Sequence, residues 1–315
     1  MARQYCGQLG KQDNCRVAVS LSAADDHASL PLACRLYLPR EWADDPDRRA
    51  GAGVPDHVAF QTKPQIALAR PGAARAGGID ADCVSGDAEY GNDTDVRDGI
   101  TALGLPYAAG IPSTTTVWPP GVEPLPLKPW SGRGRPTSAL RRDAEHQPVS
   151  ARQPALDLPQ KAWRRVTWRE GTNAKLASRF AAMRVRPAPR DYERSTPRPE
   201  EWCLIEWPLD QAEPTKYFLS TLPATISRRA LVNATKLRWR IKRDYQDLKQ
   251  EPGPGHDEGR DWRGFHHHAT PCIAARGFLL CERGAFPPSG QRGSVLFEEP
   301  AVPAGYRPRG SPDPA

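Results

Sequence analysis

An aspartate that follows a short apolar segment is the first candidate for a chemical role in this sequence. Residues 81–86 are small or apolar and predict a buried strand, and Asp87 comes directly after them. The acidic, polar and glycine residues at 87–93 predict a loop. Because α/β sheets place their chemistry at the carboxyl ends of strands, Asp87 lies where a reactive carboxylate is expected.

A basic helix near the carboxyl end is the second candidate. Residues 227–251 predict a helix with Ser227 as its N-cap and a Pro-Gly-Pro-Gly sequence beyond its end. Basic residues outnumber acidic residues in this helix. The basic residues are Arg228, Arg229, Lys236, Arg238, Arg240, Lys242, Arg243 and Lys249. A solvated face and a face that contacts phosphates both fit this charge, which does not separate the two interpretations.

Several longer motifs surround these residues. In chain order they are Asp87-Ala88-x-Tyr90-Gly91-Asn92-Asp93, Trp168-Arg169-Glu170-Gly171-Thr172, Glu201-Trp202 with Thr215-Lys216-Tyr217, Arg238-Trp239-Arg240-Ile241-x-Arg243-Asp244-Tyr245-Gln246-x-Leu248-Lys249-Gln250, and Trp262-Arg263-Gly264-Phe265-His266-His267-His268. Together they resemble the catalytic region of bacterial insertion-sequence transposases of the DDE superfamily, over about residues 3–284.

The resemblance implies an α/β fold, an RNase H-like mixed sheet flanked by helices with a β-rich insertion before the last catalytic helix. It also implies three carboxylates that hold two Mg²⁺ ions, which activate a water or a DNA 3′-hydroxyl at a phosphodiester. Asp87 matches the second of these carboxylates and is the implied metal ligand. The implied partner is DNA, namely the terminal inverted repeats of the element, and an oligomer is compatible with the family.

Two departures from the family pattern predict a catalytically silent copy. The first acid belongs to a strand upstream of the segment that begins here at Ala2, so the first strand and its aspartate are expected to be missing. The helix pattern Tyr-x2-Arg-x3-Glu-x6-Lys falls on Thr235, Arg238, Lys242 and Lys249, which puts a lysine at the glutamate position. A lysine about 4 Å from a divalent ion would be repelled by about 2 kcal/mol even in water.

DNA contacts are expected from the basic residues that the pattern retains. By the resemblance, Arg238, Lys249 and Arg243 are the candidates for binding DNA phosphates, and Lys242 is a non-functional catalytic position. Three consecutive histidines, His266 to His268, point in three directions on a helix, which favours a structural or DNA-facing role over a metal site.

The positioning elements divide the chain into four segments. These are the first part of the RNase H-like domain (1–111), a Pro/Arg-rich insertion (112–200), the second part of the domain (201–284) and a tail (285–315). Periodicity predicts a hairpin of strands 16–22 and 31–38, a helix over 62–76 that Pro71 kinks or ends, a helix over 92–103, strands at 106–111, 201–207 and 215–220, and a helix over 266–281 that Pro271 interrupts. Within 112–200, only 163–168 and 180–185 predict strands.

Composition restricts the class of protein. The 315 residues carry 44 Lys and Arg against 37 Asp and Glu, a net charge of +7, and no apolar run approaches the roughly 20 residues of a membrane span. Residues 1–5 lack a signal-peptide pattern, which predicts a cytoplasmic, nucleoid-associated protein. Seven scattered cysteines without a C-x2-C pair favour neither disulfides nor zinc.

Two functions remain open at this stage. One is Mg²⁺-dependent DNA cleavage and strand transfer at insertion-sequence ends. The other is a non-catalytic DNA-binding remnant, which Lys242 and the missing first strand favour.

Overall fold

The computed structural model describes residues 2–6, 10–26, 28–135, 138–170, 175–241 and 261–285. The strands are β1 (Ala2–Cys6), β2 (Lys11–Cys15), β3 (Ala18–Ala24), β4 (Ser29–Leu36), β5 (Val84–Gly86), β6 (Tyr107–Ile111), β7 (Thr116–Trp118), β8 (Val149–Ser150), β9 (Arg164–Glu170), β10 (Lys175–Pro187), β11 (Glu201–Pro208) and β12 (Lys216–Ser220). The helices are α1 (Arg40–Ala43), α2 (Pro46–Gly51), α3 (Lys63–Ala76), α4 (Ala88–Gly91), α5 (Thr94–Ala102), α6 (Arg152–Leu156), α7 (Arg228–Lys236) and α8 (Trp262–Ala285).

One mixed sheet organises the described residues. Its order is β5-β6-β12-β11-β10-β7-β8, and β9 pairs with β10 outside this path. Strands β5 and β6 are parallel, whereas the other pairs are antiparallel. The predicted α/β architecture, a mixed sheet flanked by helices, is confirmed.

The sheet carries a hydrophobic cluster on each face. On one face, inward residues of β10 and β11 such as Met183 and Cys203 pack with Val96 and Ile100 of α5 and with Ala155 of α6. On the other face, Phe180 and Leu204 pack against Leu231 and Val232 of α7. Side chains alternate between the two faces because successive residues of a strand point to opposite sides.

The hairpin and helix predicted before Asp87 are present. Strands β3 and β4 pair antiparallel as a separate two-stranded sheet. Helix α3 begins after Thr62, whose side chain accepts from the Gln65 amide while the Gln65 side chain accepts from the Thr62 amide. This reciprocal capping box fixes the start of the helix.

Two helices continue past the proline that was expected to end or interrupt them, so the predicted end at Pro71 and the predicted interruption at Pro271 are wrong. Helix α3 continues past the buried Pro71 to Ala76, and α8 continues past Pro271 to Ala285. A proline removes one backbone donor, and packing of both flanking turns compensates for this loss. For α8 that packing is against β4, where Leu30 lies beside Gly277.

Residues 112–200 contain more structure than their composition predicts. Strand β9 matches the predicted 163–168, but β10 is longer than 180–185 and lies between β11 and β9 in the main sheet. Strands β7 and β8 and helix α6 were not predicted. Near the amino end of the chain, the hairpin of β1 and β2 was not predicted either. Short elements such as these leave too few residues for a periodic pattern.

The predicted basic helix is interrupted after nine residues. Ser227 caps α7, as expected, because its hydroxyl accepts from the Ala230 amide. The helix ends at Lys236, residues 237–238 form a turn, and helical structure resumes at 239–241. The Leu237 amide donates to the Asn233 carbonyl, four residues earlier, whereas the Arg240 amide donates to the Leu237 carbonyl, three residues earlier. The backbone is therefore wound more tightly after residue 237 than in an α-helix. The rest of the prediction, residues 242–251, lies outside the described residues.

Among the described residues, no helix is long and apolar enough to cross a bilayer.

Candidate active site

Asp87 lies at the carboxyl end of β5, as its sequence position predicts. It is also the N-cap of α4, since its Oδ1 accepts from the Glu89 amide at 3.1 Å. The segment predicted as a loop therefore contains one helical turn. Parallel pairing of Gly86 with Ala109 ties this corner to β6.

A close glycine contact fixes the corner that carries Asp87. The Gly91 amide donates to the Asp87 carbonyl at 2.7 Å. A Cβ at Gly91 would lie 2.0 Å from the Gly110 carbonyl oxygen of β6. Only glycine permits α4 to approach β6 this closely, so the position of the carboxylate depends on this contact.

Arg238 reaches Asp87 from the end of α7. Its Nη2 donates to Asp87 Oδ2 at 3.0 Å, although the two residues are 151 positions apart. Ser85 of β5 donates to the carbonyl of Ala234 at 3.0 Å, which ties the carboxyl end of α7 to the edge of the sheet. The structure therefore brings together two residues that the sequence singled out separately.

A cavity of about 250 Å³ opens beside this ion pair. Its walls come from β3, α3, β5, β6 and α5, and most lining side chains are small or apolar. Asp87 is the single acidic residue among the described residues that line it, whereas Arg97 and Arg238 are both basic. This cavity therefore presents one carboxylate, and both of its oxygens accept hydrogen bonds from protein donors.

These residues do not fit a pair of magnesium ions. Two divalent ions need several oxygen ligands, and Asp87 supplies the only carboxylate in the described lining. Within the described ranges, no group of three or more His, Cys, Asp and Glu side chains is arranged to hold a metal. The nearby Glu89 is engaged elsewhere, because its Oε1 accepts from Lys63 Nζ at 2.9 Å.

Three predicted residues fall outside the structural description. Lys242, at the glutamate position of the family pattern, and the candidate DNA-contacting residues Arg243 and Lys249 all lie in the segment 242–260. Their roles stay predictions. Of the site residues predicted from the sequence, the structure therefore places Asp87 and Arg238.

Lys236 lies inside the molecule rather than on a basic outer face. Its Nζ donates to Glu206 Oε2 at 2.5 Å, and the two side chains are 10% and 2% exposed. The ammonium also lies 4.3 Å from the centre of the Trp168 ring. Burial lowers the pKa of Lys236, and the hydrogen bond that Lys236 donates to Glu206 opposes that shift. Sequence reasoning missed this buried pair, since Glu206 carries no local signal of its partner.

A second network of polar side chains supports β6 next to Asp87. The Tyr107 hydroxyl donates to Glu201, and Arg198 donates to both oxygens of Asp98 at 2.5 and 3.0 Å. Burial raises the pKa of Glu201 and of Tyr107. Arg97 donates to the carbonyl of Gly91 at 2.5 Å and links this network to α4. These contacts hold β6 and α4 in place beside Asp87.

Of the three consecutive histidines in α8, His266 and His268 contact residues of the same helix, whereas His267 is exposed. His266 Nδ1 lies 2.8 Å from the Trp262 carbonyl, and its ring packs at 4.8 Å on the Trp262 ring. His268 Nε2 lies 3.9 Å from Cys272 Sγ.

Comparison with known families decides the relationship. A sequence profile described as DDE superfamily endonuclease matches residues 1–175, more than half of the chain. This chain belongs to the DDE superfamily endonucleases. The matched region includes Asp87, and the mixed sheet is consistent with the RNase H-like fold of this family. The region around Arg238 lies beyond the match, and the sequence has no match among curated proteins.

Proposed function

We propose that this DDE superfamily member binds DNA and does not cleave it. The proposal is based on the ion pair between Asp87 and Arg238. The Arg238 guanidinium binds the Asp87 carboxylate, which is the group that would bind a metal. The side chains are 38% and 33% exposed, so the pair is held at the cavity and still reachable from solvent.

The electrostatics of the cavity oppose a divalent ion. A metal at Asp87 would displace Arg238 or share the carboxylate with it, and at about 4 Å a unit charge repels a divalent ion by about 2 kcal/mol in water. The repulsion is larger in a cleft, where the effective dielectric constant is lower. Lys242 would add a second positive charge if it lies where the family pattern puts the glutamate.

DNA as the partner follows from the family and from the charge of the chain. DDE endonucleases act on DNA, and a net charge of +7 favours a polyanion. Binding to the terminal inverted repeats and association with the nucleoid are parts of this proposal.

The alternative function is Mg²⁺-dependent cleavage and strand transfer at insertion-sequence ends. Family membership and the position of Asp87 after β5 favour it. It requires that Arg238 release Asp87 and that other carboxylates complete the ligand set.

A nicking assay separates the two functions. Purified protein is incubated with supercoiled plasmid that carries the terminal repeats, in Mg²⁺ or Mn²⁺, alongside the Asp87→Asn variant. We expect no conversion to open circles above the variant. Conversion by the natural chain that Asp87→Asn abolishes would show catalysis and refute the proposal.

A binding assay tests the other half of the proposal. We expect a gel shift of a repeat duplex whose log affinity falls linearly with log salt, because binding releases counterions from phosphates. Absence of a shift at low salt would refute DNA binding while leaving the cleavage result unaffected.

A further inference from the structure

A second cleft, separate from the Asp87 cavity, also has α3 in its wall. It measures about 550 Å³ and is formed by β4, the segment 57–61, α3 and the first turns of α8. Its lining residues are Cys34, Arg35, His57, Val58, Ala59, Gln61, Arg70, Trp262 and His266. None of them lines the Asp87 cavity, so the two sites are separate.

The cleft is basic and has no acidic counterpart in its lining. Arg35 and Arg70 supply two guanidinium groups, and His57 and His266 add two imidazole rings. In the part of the chain that the structure describes, neither arginine forms an ion pair with Asp or Glu. Arg198, by contrast, binds Asp98 through two nitrogens. The positive charge of this cleft is therefore not balanced from within the described fold.

The arginines are also incompletely satisfied as donors. Arg35 Nη1 donates to Gln61 Oε1 at 2.5 Å, a neutral acceptor. Arg70 Nε is buried and has no hydrogen-bond partner among the described residues. Leaving a buried donor unpaired is unfavourable, so this guanidinium is held in the cleft at a cost to stability.

Arg35, Arg70 and His266 line the same cleft, and the two arginines affect the pKa values of their neighbours. Burial and then the charge of Arg70 lower the pKa of Arg35. Burial lowers the pKa of His266, and the charges of Arg35 and Arg70 lower it further although its contact with the Trp262 carbonyl opposes this. An anion between these groups would replace repulsion with attraction.

We infer that the cleft between β4, α3 and α8 binds a phosphoryl group through Arg35 and Arg70. A guanidinium presents paired donors whose geometry matches phosphate oxygens, and charge-assisted bonds of this kind are the strong ones. Both a DNA backbone phosphate and a small phosphorylated molecule have this chemistry. The inference does not depend on the proposed function, since it concerns a different site.

Phosphate titration of the full chain tests the inference. Thermal unfolding is followed while sodium phosphate replaces sodium chloride at constant ionic strength. We expect the melting temperature of the natural chain to rise saturably, and the phosphate affinity of Arg70→Gln to fall about tenfold, the loss of one charge-assisted contact. Arg35→Gln changes a residue of β4 instead of α3 and should show a similar loss of phosphate affinity. It replaces Arg70→Gln in the test if that variant does not fold.

Arg75→Gln is the matched control on the same helix. Arg75 Nη1 donates to the Leu103 carbonyl at 2.6 Å and does not line the cleft, so this variant should keep the phosphate response. The inference is overturned if phosphate gives no saturable shift, or if Arg70→Gln and Arg35→Gln respond as the natural chain does.

The same variants identify the source of the phosphoryl group. If Arg70→Gln weakens binding of a 20-bp duplex as well as of phosphate, the ligand is the DNA backbone. If duplex affinity and its salt slope stay unchanged while phosphate binding is lost, the ligand is a small phosphorylated molecule. Failure of the chain to bind any duplex would refute the proposed function and leave the phosphate result standing.

Discussion

The charged side chain of Lys236 is buried beside the sheet, where it pairs with Glu206. It shares the Glu206 carboxylate with Ser178, whose hydroxyl donates to Oε1 at 2.9 Å. Removing one member of a buried pair leaves the other charge uncompensated. We therefore expect Lys236→Met to lower the free energy of unfolding by about 3 kcal/mol, measured by urea denaturation.

Lys216 provides the matched control for this buried pair. Its Nζ lies 3.7 Å from the same Glu206 oxygen, but its side chain is 57% exposed. Lys216→Met should therefore cost less than about 1 kcal/mol. Adding Glu206→Gln to Lys236→Met removes the orphaned charge and should recover much of the loss. Equal losses for the two lysine variants would contradict the buried-pair interpretation.

The bridge between Asp98 and Arg198 should make stability depend on pH. Burial alone would raise the pKa of Asp98, but the hydrogen bond and charge of Arg198 lower it below its ordinary value of 3.8. A carboxyl whose pKa is lower in the folded state stabilises the fold above the unfolded-state pKa, and this contribution disappears as pH falls through the folded-state pKa. We expect Asp98→Asn to cost about 1–2 kcal/mol at pH 6, because Arg198 is buried and Asp98 is half-exposed.

The difference in unfolding free energy between the natural chain and Asp98→Asn should shrink below about pH 4. Urea titrations at several pH values measure it. A difference that stayed constant down to about pH 2.5 would mean that the bridge does not titrate in the folded state.

At the scale of elements, the contact between α4 and β6 determines where Asp87 points. Gly91→Ala would place a methyl group against the Gly110 carbonyl, and overpacking of this kind costs about 1–3 kcal/mol. We expect a lower melting temperature together with loss of the Asp87–Arg238 contact. Gly51→Ala is the control, because a Cβ there meets no atom within 4 Å and α2 should tolerate it. An unchanged melting temperature for Gly91→Ala would show that the corner can shift.

The local part of the site was predictable and the long-range part was not. The strand that ends before Asp87 and the cap at Ser227 depend on neighbouring residues, and both are as predicted. The contact of Arg238 with Asp87 spans 151 positions, and no local pattern encodes it. The periodic pattern predicted a helix that continues through residues 237–238, where the structure has a turn. A tighter turn contains the same types of residue as a helix, so the pattern does not distinguish the two.

At the scale of the whole molecule, the residues that match the family do not include all the strands of the main sheet. The match ends at residue 175, where β10 begins. Yet β12 lies between β6 and β11 in the sheet, and β10 supplies Ala181, Met183 and Val185 to the central cluster. The matched region therefore lacks much of its own core.

A chain that ends at residue 175 should consequently fail to fold cooperatively. Without β12, strand β6 loses its antiparallel partner, and the apolar face of β6 and α5 is exposed. We expect this truncated chain to melt without a sharp transition in circular dichroism, whereas a chain of residues 1–285 keeps every described contact and should melt as the full chain does. A cooperative transition of the 1–175 chain would show that the family region folds alone, and the later strands would then be an addition to the DDE core instead of its centre.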